Sequence, residues 1–202
     1  MKKYLYGLTL IVSLFCVFED NSSAQNKKPL PTGWEYGKVE SYQGKTTAEK
    51  NMLSQFNTYR NALMREDMDN FSLYIYKDAI KYFKRFAPSN YSDKDIINVF
   101  YKSVSGQLSS SIETFAAKGI TIDMTVQNIV RKVTYENSLI YVFNITTNIY
   151  KEKMCIHSLP EKTIGISSNH GTNWTFLALN DDTPNILRMR FNQSIINQIM
   201  GY

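Results

Sequence analysis

Cysteine is almost missing from this chain: Cys16 and Cys155 are the two in 202 residues, and Cys16 lies inside an apolar N-terminal run. Once that run is removed, Cys155 stands alone and no intramolecular disulfide can form, so the fold must be held by its core. Histidine is equally scarce, with His157 and His170 the two present. Two histidines and one cysteine without ligand-like spacing do not make a zinc site, and no cofactor motif accompanies them. Outside the N-terminal run no stretch approaches the ~20 apolar residues that would span a bilayer. Glycine (9) and proline (5) are sparse, and Pro29, Pro31, Gly33, Gly37 and Gly44 crowd into one short segment. A net charge of +5, from 23 basic and 18 acidic residues, is too mild to indicate nucleic acid as a partner.

The chain begins with Lys2 and Lys3, an almost wholly apolar run from Tyr4 to Phe18, and a polar turn at Glu19-Asp20-Asn21. Small residues Ser22 and Ala24 stand at the −3 and −1 positions of a cleavage before Gln25. This is the order of a secretory signal peptide, and the run is too short for a comfortable membrane span. Residues 1–24 are therefore expected to be a bacterial signal peptide cleaved after Ala24. The remainder would be periplasmic or extracellular and meet a membrane only during export. Cleavage removes two lysines and two acids and leaves the net charge at +5.

Residues 25–45 read as an irregular lead-in, with Trp34 and Tyr36 available to pin it to the domain. The pattern then becomes helical. Thr46-Thr47-Ala48-Glu49 forms a capping box, and Phe56, Tyr59 and Leu63 recur at helical spacing, so a helix is expected from about 46 to 66. Asp67 and Asp69 suit a break, after which Phe71, Tyr74, Ile75, Ala79 and Phe83 predict a second helix as far as Phe86 and Pro88. Ser92-Asp93-Lys94-Asp95 opens a third, ended by Lys118-Gly119. After Gly119 the period changes to two. Strands are expected over 120–135, 139–151, 163–167 and 173–179, with Met154 to Pro160 undecided between strand and loop. Thr183-Pro184 then begins a single amphipathic helix through Ile199. Residues 46–202 form one α+β domain, helices first and an antiparallel sheet second.

Two stretches carry a resemblance. Tyr59-Arg60-Asn61-Ala62-Leu63, Glu66-Asp67-Met68-Asp69-Asn70-Phe71 and Tyr74-Ile75-Tyr76 resemble the first helix, acidic break and second helix of the NTF2-like superfamily. Gly165 to Phe176 is similar to the late hairpin of small exported proteins of that type. The resemblance implies a cone: N-terminal helices over a curved antiparallel sheet that encloses a cavity, here with an added C-terminal helix. The superfamily hosts both enzymes and binding modules, so it implies a fold and not an activity. Ser167-x-Asn169-x-Gly171-x-x-Trp174 also resembles the Asp-box hairpin of sialidases with Asn in place of Asp. Its physical content is a tight turn in which Gly171 takes a positive φ and Trp174 folds back onto the hairpin.

Of 14 tyrosines only Tyr4 and Tyr6 fall in the leader, which leaves an aromatic-rich supply for a pocket. Phe56, Tyr59, Tyr141, Phe143 and Trp174 are the candidate ligand-binding residues, for a small apolar or amphiphilic ligand. Strand 139–151 has apolar residues on both faces at one end, and a second copy of the chain packed through the sheet is a candidate for the face that the helices leave. Three residues are candidates for catalysis. Asp123 would serve as a general base if desolvated in the cavity, and sits as an ordinary exposed residue if on an edge. Cys155 and His157, two apart, would share one face of a strand as a thiolate–imidazole pair, or lie in a loop before Pro160. Lys77, Lys81, Lys84 and Arg85 line one side of the second helix, which suits either an anionic surface or a solvated face. The expected function is a non-catalytic binding module. The alternative is a small cavity enzyme of the isomerase, dehydratase or hydrolase kind, using Asp123 with a tyrosine or histidine.

Overall fold

The computed structural model describes residues 41–64, 67–102, 119–151 and 154–202. The expected signal peptide, most of the lead-in with Trp34 and Tyr36, and the second half of the third helix lie outside the described residues.

Helix α1 spans Thr47–Met64 and starts as its sequence requires. The Glu49 amide donates to Thr46 Oγ1 at 3.2 Å, and the Thr46 amide donates to Glu49 Oε2 at 3.4 Å, the reciprocal pair of a capping box. Asp67 caps α2 (Met68–Leu73) by accepting from the Asn70 amide. Tyr74–Tyr76 is not helical, and α3 is confined to Lys77–Lys84. The single helix expected over 71–86 is thus two, and the reason is tertiary. The Phe176 amide donates to Tyr74 O at 2.7 Å and the Tyr76 amide to Phe176 O at 3.2 Å, so three residues form a parallel bridge on the edge of the last strand. Those backbone bonds outweigh a helical pattern made of aromatic and β-branched residues that favour strands anyway. Helix α4 is described over 93–102, and Ser92 and Asp95 cap each other at its start.

Four antiparallel strands follow in meander order, β1 Ile120–Tyr135, β2 Ser138–Lys151, β3 Met154–Ser167 and β4 Thr175–Ala178. The sheet is not closed into a barrel. The undecided segment 154–160 is strand, since β3 runs the full length of β2. The C-terminal helix is also split, into α5 (Thr183–Leu187) and α6 (Gln193–Met200). Asn192 makes the division by accepting from the Ile195 amide at 3.0 Å as an N-cap, a signal hidden inside the apolar periodicity.

Alternation along β2 sorts two cores. Tyr141, Phe143 and Ile145 face α1 and pack with Met52, Phe56, Trp174 and Phe176. Ile140 and Val142 face the other way, onto α3, α5 and α6, where Ile186, Leu187, Ile196 and Ile199 are buried. Each such fully buried side chain contributes about 1.5–3 kcal/mol. The face reserved for a second copy of the chain is, at this end of the sheet, covered by the chain's own C-terminal helices.

Candidate functional site

The five aromatic candidates come together as a packed layer. Phe56 meets Phe143 edge-on at 5.1 Å and Phe176 at 5.2 Å between ring centres, Tyr59 lies 5.5 Å from Phe176, and Tyr141 lies 4.8 Å from Trp174. Phe56, Tyr141, Phe143 and Trp174 are all buried, and burial pushes the Tyr59 hydroxyl up to about 12. Gly165, opposite Tyr141 in the β2–β3 register, makes room for the layer. A Cβ there would stand 3.2 Å from the Trp174 ring and 3.4 Å from Met52. These rings spend their surface on one another, in the offset and edge-to-face arrangements that aromatic side chains favour.

The β3–β4 turn is held as its motif demands. Ser167 Oγ accepts from the Gly171 amide at 2.9 Å and donates to Asn169 Oδ1 at 2.9 Å, while Asn169 Oδ1 also accepts from the Asn173 amide at 2.8 Å. Gly171 has φ +86°, and Trp174 Nε1 donates to its carbonyl at 3.0 Å. Asn51 and Gln55 of α1 clamp the turn from outside: Asn51 Nδ2 donates to Gly171 O, Gln55 Nε2 donates to Thr172 O, and Gln55 Oε1 accepts from the Trp174 amide. The motif therefore docks the hairpin on α1 and fixes where its outer residues point.

Beside that turn lies an open cleft of about 730 Å³. One wall is the start of α3, with Tyr76, Lys77, Asp78 and Lys81. The opposite wall is the turn, with Ser168, Asn169 and Asn173, and the cleft ends on Arg190. Tyr74 and the exposed Leu73 add an apolar lip, and Trp174 is the one aromatic candidate that lines it. The parallel bridge at Ile75 positions this wall. By holding Tyr74–Tyr76 extended, it delivers the Tyr76 side chain into the sheet–helix core and begins α3 at the cleft.

Tyr76 is the unusual member. The residue is 3% exposed and its hydroxyl has no hydrogen-bond partner. Burial pushes that hydroxyl well up, the nearby Asp78 carboxylate pushes it further, and Arg190 pulls it back, so the oxygen lies between two cleft-lining charges. Asp78 is itself engaged by Lys81 at 2.9 Å. Among the described residues, Lys77 and Arg190 form no ion pair, and Arg190 makes only a long hydrogen bond to Ser138 Oγ at 3.4 Å. Sequence reading reached Lys77 and Lys81 as a basic stripe but missed Tyr76, Asp78 and Arg190. No local motif links positions 76 and 190, and only the fold brings them together.

The catalytic candidates stand apart from this cleft. The Asp123 side chain is 58% exposed on edge strand β1, 3.7 Å from Arg60, and it accepts from the Met124 amide at 2.9 Å. It has the surroundings of a surface residue, with no desolvation to make it a base. Cys155 is half-buried with its Sγ 4.0 Å from Asn148 Oδ1. Along β3, Cys155 is registered with Tyr150 and His157 with Ile149, so a bulge at Ile156 interrupts the two-residue alternation that would have set both on one face. The His157 side chain lies outside the described residues. His170 sits in the β3–β4 turn with φ +55°. Among the described residues, no group of three His, Cys, Asp or Glu side chains is placed to hold a metal ion, and no helix is long and apolar enough to cross a membrane.

One buried charge is fully accounted for by the fold. Glu49 is completely buried and accepts from Tyr42 Oη at 2.6 Å, from the Lys45 amide at 2.5 Å and from Lys132 of β1. Burial alone would push its carboxyl up; the hydrogen bonds from Lys132, Tyr42 and Lys45 outweigh that and hold it at about 2. The group ties the residues before α1 and the first strand to the start of the helix.

A second open cleft, about 640 Å³, runs beside the stretch of β3 that β4 does not reach. Burial there pushes the Glu161 carboxyl up, and Gln127 Nε2 is buried without a partner. It lacks the grouped cations of the first.

No protein-family model matches the chain, and neither a curated protein nor a solved structure matches it.

Proposed function

We propose that this chain is an exported, non-catalytic binding module of the NTF2-like cone type, and that its ligand occupies the open cleft between α3 and the β3–β4 turn. The observation that carries this reading is the contrast between two regions. The aromatic layer is packed ring against ring, whereas the cleft combines roughly the volume of a small-molecule site with polar groups converging from separate elements. The NTF2-like part is supported by the α+β order, by helices preceding an antiparallel meander, and by the Tyr74–Tyr76 segment lying parallel to the last strand. The export part is supported by the Lys2–Ala24 pattern. The enzymatic alternative loses its named base, since Asp123 is solvated and engaged by Arg60.

Native mass spectrometry of the protein gently released from its own cells tests the reading. The expected spectrum carries an extra mass that disappears on denaturation, and that mass is missing from a Tyr76→Phe/Arg190→Gln double variant. An extra mass retained by the double variant, or a bare wild-type protein, would count against the cleft as the site. The protein mass itself is expected to begin at Gln25.

A further inference from the structure

The cleft has an electrostatic and hydrogen-bonding asymmetry that narrows what it would hold. At one end stand Lys77, Lys81 and Arg190 against a single carboxylate, Asp78, which Lys81 already engages at 2.9 Å. Beneath them is the Tyr76 hydroxyl, buried and without a partner. Such a group costs about 1–3 kcal/mol relative to a satisfied one, and a native fold that retains it needs a reason. The first amides of α3 add to this end. They have no intrahelical acceptors, and no side chain caps them. At the other end the lining changes to the neutral Gln55, Ser168, Asn169, Asn173 and Thr175. That set presents amide and hydroxyl groups suited to ligand hydroxyls, next to the Tyr74 ring.

Resting on the reading of this cleft as the binding site, we infer that its ligand is an acidic sugar unit, with an oxyanion at Arg190, Lys77 and the Tyr76 hydroxyl and its ring hydroxyls against the β3–β4 turn. The oxyanion end accounts for the unsatisfied tyrosine: a carboxylate or sulfate oxygen accepts from Tyr76 Oη and from Arg190 together. Asp78 is then an opposing charge that sets an upper bound on affinity. A neutral sugar would leave the cations and Tyr76 as they are, and a bare anion would leave the polar turn unused.

The inference is tested by titrating the mature chain, residues 25–202, with glucuronate, glucose 6-sulfate, glucose and acetate, followed by calorimetry and by ¹⁵N chemical shifts. Glucuronate or glucose 6-sulfate is expected to bind, and the stronger of the two identifies the oxyanion. Glucose and acetate are expected to bind at least about tenfold more weakly, the effect of losing hydrogen bonds to charged groups. Arg190→Gln is expected to weaken the preferred ligand about tenfold or more, whereas Arg188→Gln, outside the cleft, leaves it unchanged. Asp78→Asn is expected to strengthen it. The decisive variant is Tyr76→Phe, which should weaken binding several-fold while leaving thermal stability unchanged or raised. A fall in stability with unchanged affinity would overturn the inference by making the hydroxyl a structural group. Equal binding of glucose and glucuronate would overturn the acidic-sugar assignment while the binding module stood. Failure of all four probes to bind would overturn it too, and the co-purified mass described above would still decide the module separately.

Discussion

Replacing Glu49 by glutamine removes one charge and almost no volume, so its consequences are those of the buried ion pair. The carboxyl is held at about 2 against an ordinary 4.5, a difference worth about 3 kcal/mol of folding stability at neutral pH. Lys132 is 47% exposed, and solvent screens its share, which lowers the expected loss for Glu49→Gln to about 2 kcal/mol. The sign follows from the direction. A carboxyl depressed in the folded state stabilises above its unfolded value near 4.5, and that contribution is lost as the pH falls toward 2. Urea unfolding of both proteins between pH 7 and pH 3 is the assay. The gap should be widest at pH 7 and narrow steadily below pH 4.5. A gap that is absent at pH 7, or constant down to pH 3, would refute the account of how Glu49 is held.

Other expectations follow from the same contacts. Gly171→Ala places a Cβ 2.5 Å from the Ala48 Cβ at φ +86°, so it should destabilise by about 2 kcal/mol or more, seen as a lower melting temperature. Trp174→Phe removes the bond to Gly171 O and part of the layer over Gly165, and should cost about 2–3 kcal/mol in denaturant unfolding. Asn192→Ala removes the N-cap of α6 and should cost about 1 kcal/mol, with faster amide exchange at Ile195. The amides of Tyr76 and Phe176 should exchange slowly, because each donates across the parallel bridge; rapid exchange at both would mean that β4 has an open edge.

Signals confined to a few neighbouring residues were legible in the sequence. The capping box at Thr46 and Glu49, the positive φ of Gly171, the return of Trp174 and the alternating faces of β2 each follow from one short pattern, and the structure contains them all. What was misread depends on residues far apart. The helical periodicity through Tyr74–Tyr76 gave no hint that β4, about a hundred residues on, supplies better backbone partners. Asn192 looked like one polar position in an apolar stripe until its cap divided α5 from α6. Strict alternation from Cys155 to His157 failed at a bulge that no residue type announces. The site was the least legible part, because aromatic composition points to the packed layer while the cleft is built from a helix start, a turn and one arginine.

The central claim is that ligand binds in the cleft and not within the aromatic layer. Chemical-shift mapping of glucuronate binding on the ¹⁵N,¹³C-labelled mature chain tests it most directly. The account predicts that the amides of Lys77, Asp78, Ser168, Asn169 and Asn173 and the Arg190 side chain move with saturation. Under that account the Met52, Val126 and Ile145 methyl groups stay still. Saturating shifts at those three methyls, with a silent cleft, would contradict it.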